Sequence, residues 1–224
     1  MVMVSHIDDD HISFANLVMV PAGQKSRKFD AGDGLLLTVI GPDEERVRAL
    51  QEEWDRQIDK LGVAKVAEFA DQSVFNLSSI TVLATFKKKT RLLTGDARGD
   101  IVLAGLRRAK LLKNGKLHVD LLKMPHHGSD NNVDTDFFRS IIADHYVVSG
   151  DGEHGNPEVS TFQMISDARG QDEFTIHLTH GRLPEDPDPN KLLDFFRKEK
   201  KAGKQYKTAI REPDALGIAV DLLA

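Results

Sequence analysis

The chain contains no cysteine, which excludes disulfides and thiolate ligands and leaves any metal to histidine, carboxylate and similar groups. No run approaches the roughly 18 apolar residues that suggest a membrane span, and the N-terminus lacks the basic-then-apolar layout of a signal peptide. The chain therefore reads as soluble, without a membrane segment, and the cytoplasm is its expected compartment. Positive charge is not in excess either. Lys and Arg number 30 against 35 Asp and Glu, for a net charge of -5, so the basic domain or stripe that advertises nucleic-acid binding is missing and only a local basic surface remains open. There is no internal repeat and no low-complexity linker. What is present, 224 residues with 40% apolar and 29% charged content, is ordinary for a globular protein able to bury a core, and residues 1–224 are read as one domain.

Met1-Val2-Met3-Val4 is an apolar run ending in Ser5-His6-Ile7-Asp8-Asp9-Asp10-His11, the pattern of a buried strand delivering a polar loop. Further strands are predicted at Leu17–Val20, Leu35–Ile40, Ser79–Thr85, Arg91–Leu93, Leu117–Met124, His145–Ser149, Phe174–Thr179 and Gly217–Leu223. Gly41-Pro42-Asp43-Glu44-Glu45 predicts a helix start, with proline at the first helical position and the acids facing the positive end of the dipole. Val47, Leu50, Trp54, Ile58 and Leu61 then recur on one face, which makes Trp54 a core residue. Other helices are expected near Asp100–Leu112, Asp134–Asp144, Val159–Ala168 and Asn190–Lys201. Residues 21–28 read as a polar loop, Lys87-Lys88-Lys89-Thr90 as a solvated hairpin tip, and the basic Arg197–Lys207, interrupted by Glu199, as a solvated helix end. Short series of strands broken by helices indicate an α/β layered fold.

Five of the nine histidines, His6, His11, His126, His127 and His154, lie in polar loops that follow strand-like runs, where functional groups concentrate. Between His6 and His11 the carboxylates Asp8, Asp9 and Asp10 crowd together, and a divalent cation is the natural way to neutralise them. The bland alternative is an acidic surface turn that contains two histidines. Leu92-Leu93-Thr94-Gly95-Asp96 ends a strand in a carboxylate, a weak signal alone because Gly-Asp marks ordinary turns. Leu121–Ser129 discharges Pro125-His126-His127-Gly128-Ser129 from another strand, and Val147–Pro157 is a glycine-rich loop with the single His154.

In this order the motifs H-x-D-x-D-H, L-L-T-G-D, K-x-P-H-H-G-S and S-G-x(3)-H resemble the metallo-β-lactamase superfamily. The branch they are similar to includes the hydrolase domain of the DNA-uptake competence protein ComEC, and Asp71–Ile80 matches that branch as well. The resemblance runs from Val4 to about Pro157. It implies an αββα sandwich of two sheets with helices outside, here short of its N-terminal strands, and a site at one edge for two divalent ions, zinc first, with manganese or magnesium as alternatives. His6 and Asp8 would serve one metal and Asp10 and His11 the second, with Asp96 bridging. A late ligand comes from His154 or the His126-His127 pair, His127 and His154 standing level. Catalysis is expected of Asp10 and His126, His126 protonating the leaving oxygen or stabilising negative charge on the transferred group, with support from Asp9, Thr94 and Ser129, which lie near the motifs in sequence.

Two ions about 3.5 to 4 Å apart hold a hydroxide at neutral pH and clamp an in-line displacement. The activity that the branch resemblance implies is phosphodiester hydrolysis by a metal-bound hydroxide, with nucleic acid as the substrate partner. The alternatives are hydrolysis of a small ester, thioester or lactam, and a non-catalytic module that keeps the scaffold. Two departures stand out: no histidine occurs between His11 and His118, and Ser13 and Phe14 occupy positions where the branch has glycine. The start of the chain almost on top of the first motif adds the expectation of an N-terminal partner segment or self-association that covers a sheet edge.

Overall fold

The computed structural model describes residues 18–61, 78–150, 152, 155–183 and 186–223, with 53–55 and 57–61 described by backbone alone. The predicted strand at residues 1–4, the motif from His6 to His11, Asp71 to Leu77, the side chains of Trp54, Ile58 and Leu61, and His154 lie outside the described residues. The elements run β1 (Arg27–Asp30), β2 (Leu36–Gly41), α1 (Glu44–Leu61), β3 (Thr81–Phe86), β4 (Lys89–Leu93), α2 (Gly99–Arg108) and β5 (Leu117–Lys123). They continue with α3 (Thr135–Ser140), β6 (Ile141–Val148), α4 (Val159–Arg169), β7 (Thr175–Leu178), α5 (Lys191–Lys201) and β8 (Lys207–Ile210).

All eight strands form one mixed sheet in sequential order from β1 to β8. β1 to β4 pair antiparallel, whereas β4 to β8 pair parallel, so each later strand returns through a crossover. Parallel crossovers are right-handed, and a sheet that always grows in one direction therefore places its connecting helices on one face. The core agrees. Leu83, Leu92, Leu122, Tyr146, Val148, Ile176 and Leu178 from the sheet share one buried cluster with Leu106 of α2, Phe137 and Phe138 of α3, Phe162 of α4 and Phe196 of α5. The alternating side chains form a row across the other face, Val39, Val82, Leu93, Lys123, Val147, His177 and Ala209 in register. The fold is thus α/β, as the interleaved strands and helices predict. No helix among the described residues is long and apolar enough to cross a membrane.

Local chemistry explains several boundaries. α1 begins after Asp43, whose Oδ1 accepts from the Arg46 amide at 3.2 Å; Asp43 is the cap and Pro42 precedes it, rather than opening the helix. Lys87 and Lys88 both have positive φ, 46° and 67°, the signature of a two-residue type I′ turn whose twist suits a hairpin. α2 packs closely on β2 because Gly105 has no side chain: a β-carbon there would stand 2.4 Å from the Ile40 carbonyl oxygen. Arg108 fastens the same contact, donating to that carbonyl at 2.6 Å and to Asp43 Oδ2 at 2.7 Å.

Four expectations are corrected. The helix expected over Asp134–Asp144 stops at Ser140, because Ile141 and Ala143 are buried at period two and begin β6. Val18 to Val20 form no strand; Val20 makes only an isolated bridge to Asp43 and packs on Val39 and Val82. Gly217–Leu223 is irregular, and the edge beyond β7 is taken by β8, drawn in by Tyr206 stacking on Phe174 with ring centroids 4.9 Å apart. The basic residues 27 and 28, read as loop, belong to β1.

Candidate metal centre

The parallel strands β4, β5, β6 and β7 all end at one edge of the sheet, and ligands in open α/β sheets bind at such carboxyl ends. After β4 the chain turns through Thr94, whose hydroxyl donates to the Lys123 carbonyl at 2.7 Å, and Gly95, at φ 55°. These bonds bring Asp96 against the end of β5, where it is only 5% exposed and its amide donates to Ser79 Oγ at 3.2 Å.

β5 delivers the histidine pair through an unusual turn. His126, His127 and Gly128 have φ of 42°, 54° and 85°, three successive left-handed residues of which two carry a β-carbon. Such conformations persist where surrounding contacts over-determine them, and they cluster at functional sites. The contacts are present. The His126 amide donates to the Gly95 carbonyl at 3.1 Å, joining the two turns. The Gly128 carbonyl accepts from Thr161 Oγ1 at 2.8 Å and from the Glu158 amide at 3.2 Å. Glu158 Oε2 accepts from the Asp130 amide at 2.7 Å and from Ser129 Oγ at 3.4 Å, so the start of α4 holds the loop from both sides.

Each ring is oriented by its Nδ1. That of His127 lies 2.5 Å from the Ser149 carbonyl oxygen, which can only accept; a proton therefore sits on Nδ1, and Nε2 lies 3.8 Å from Asp96 Oδ1. His126 Nδ1 lies 2.8 Å from Asn132 Oδ1, and the Asn132 amide returns to the Asp96 carbonyl at 3.4 Å. The end of β6 is fixed from β7: Thr179 Oγ1 bonds both the amide and the carbonyl of Gly150, and His180 Nδ1 meets that carbonyl at 2.7 Å.

Of the predicted site residues, Asp96, His126 and His127 are brought together, whereas His6, Asp8, Asp10, His11 and His154 lie outside the described residues. Thr94 supports the site through β5, and Ser129 does so through Glu158; Asp9 lies outside the described residues. Among the described residues no three His, Asp or Glu side chains form a group that could hold a metal; Asp96 and His127 stand as a pair whose oxygen and nitrogen atoms are of the donor types that zinc or manganese accepts. Asn132, Glu158 and His180 were not singled out from the sequence, and Lys123, the first residue of K-x-P-H-H-G-S, was given no role there. His180 alone carried a signal, since Ile176-His177-Leu178-Thr179-His180 repeats the pattern of a strand ending in polar groups. No family model, curated protein or solved structure matches the chain.

Proposed function

We propose that the chain is a metal-dependent hydrolase of the metallo-β-lactamase type, acting on phosphodiesters and most specifically on nucleic acid. The observation that supports it best is the pairing of His127 with Asp96. A histidine that ligates a metal through one ring nitrogen characteristically donates the other N–H to a carbonyl or carboxylate, and His127 does so to Ser149. In this reading the sheet is one half of an αββα sandwich. Asp96 and His127 hold the metal together with His6, Asp8, Asp10 and His11, and His154 is the further candidate ligand. Zinc is preferred, with manganese or magnesium as alternatives, and the metal supplies Lewis acidity and activation of water at neutral pH.

The protein's own groups do the rest. Asn132 holds His126 with Nδ1 as donor, so a proton taken up by that ring resides on Nε2, from which it passes to the departing oxygen as the ester bond breaks. The buried setting of Asp96 strengthens its attraction for a cation.

The test is direct. Purified protein supplied with zinc or manganese should cleave bis(p-nitrophenyl) phosphate or single-stranded DNA, chelator should stop it, and His126→Ala should slow turnover while retaining most of the metal. Inertness toward every phosphodiester under all three metals, with cleavage of a lactam or thioester, would replace this reading.

A further inference from the structure

Lys123 is the last residue of β5 and has no part in the chemistry above. It lies in the row on the face away from α2 to α5, between Leu93 and Val147, at the edge where Asp96 and His127 emerge. Its side chain is half-buried, and desolvation pulls its pKa below the usual lysine value, the Asp96 carboxylate opposing that shift. An ammonium carries three N–H donors. Among the described residues that of Lys123 donates to one acceptor, the Met124 carbonyl at 3.1 Å.

A half-buried cation short of protein acceptors is costly, and a methionine or leucine would fill this strand position more cheaply. The ammonium is also well placed for an incoming anion. An anion approaching Asp96 meets a like charge, and the neighbouring Lys123 offers the positive partner and the spare donors that offset it. Lysine serves as a compact point charge for phosphate oxygens, where arginine would act as a planar fork.

We propose that Lys123 binds a non-bridging oxygen of a phosphoryl group and is a substrate-binding residue of this site. The identity of the substrate rests on the hydrolase reading above; the anion site itself does not. A residue that only balances the charge of Asp96 would alter metal retention, whereas a phosphoryl ligand alters anion affinity.

The experiment uses the full chain, inorganic phosphate as the probe and two variants, Lys123→Met and Lys123→Arg. Calorimetry should show phosphate binding to the metal-supplied wild type, weakened at least about ten-fold in Lys123→Met and partly restored in Lys123→Arg, with metal content unchanged. With bis(p-nitrophenyl) phosphate, Lys123→Met should raise KM by a larger factor than it lowers kcat. In the unmodified protein, phosphate should protect Lys123 from amine acylation read by mass spectrometry, a measurement that holds even where a variant fails to fold. Absence of phosphate binding, equal affinity in Lys123→Met, loss of metal in that variant, or no protection of Lys123 would each overturn the proposal. Phosphate binding that depends on Lys123 in a protein that cleaves no phosphodiester would leave the anion site standing and remove the hydrolase reading.

Discussion

The ring Nδ1 of His127 meets the backbone carbonyl of Ser149 at 2.5 Å, tying the loop after β5 to the end of β6 and directing Nε2 toward Asp96. A metal bound by this pair should be lost when either member is truncated. Asp96→Ala and His127→Ala are expected to retain markedly less divalent metal after equilibrium dialysis than wild type. His118→Ala is the control, because its ring is exposed and, among the described residues, pairs with the exposed Asp144 at 2.9 Å. Equal metal content in all three variants would remove Asp96 and His127 from the ligand set.

The left-handed turn offers a separate test. A residue with a β-carbon costs roughly 1–2 kcal/mol in that conformation, and glycine escapes this. His126 stands at φ 42°, so His126→Gly is expected to be more stable than His126→Ala by about 1 kcal/mol, with both slow in turnover. Urea denaturation measures the difference, and equal stabilities would show that the turn is not held left-handed in solution.

How far the sequence disclosed this arrangement depends on which force dominates each element. β2, β5 and β7 were legible because apolar residues recur along them and supply buried side chains to the core, Ile40, Val119, Leu122, Ile176 and Leu178 among them. β1 and β8 were not, because edge strands keep charged residues that discourage pairing with other chains, and Arg27-Lys28 and Lys207 read as loop or helix end. The apolar run at 217–223 misled in the opposite direction. At the site, Asp96, His126 and His127 were visible as polar groups at strand ends. Glu158 was not, since it acts on Asp130 from 28 positions away, a relation made by the docking of α4 rather than by any local spacing.

The β3–β4 turn makes a prediction about stability alone. Lys88 has φ 67°, which glycine adopts without steric penalty. The Lys87 ammonium lies 5.3 Å from the Phe86 ring centroid, so replacing Lys88 by itself leaves that contact intact. Lys88→Gly should raise stability by about 0.5–1 kcal/mol, the relief of strain exceeding the extra chain entropy glycine loses on folding. A lower urea midpoint would contradict the type I′ assignment.

The last prediction concerns the carboxyl pair that holds the histidine loop. The Ser160 hydroxyl, followed by Glu158, keeps the Asp130 carboxyl below its ordinary range. Burial pushes Glu158 above its ordinary value despite the Asp130 amide that it accepts. Asp130 therefore contributes stability that is present above its unfolded pKa and lost as pH falls through the depressed folded value. Glu158 does the reverse: the folded protein binds its proton more tightly, so its contribution is full below the unfolded pKa and lost as pH rises through the raised folded value. Glu158→Gln keeps an acceptor for the Asp130 amide and cannot ionise. Its stability relative to wild type should therefore improve between about pH 4 and about pH 7. Glu158→Ala leaves that amide without its acceptor and should cost about 1–3 kcal/mol at either pH, and the freed loop should reduce metal retention at His127. Urea midpoints for the three proteins at both pH values decide it, and a Glu158→Gln difference that stays constant with pH would show that Glu158 does not titrate above its ordinary range.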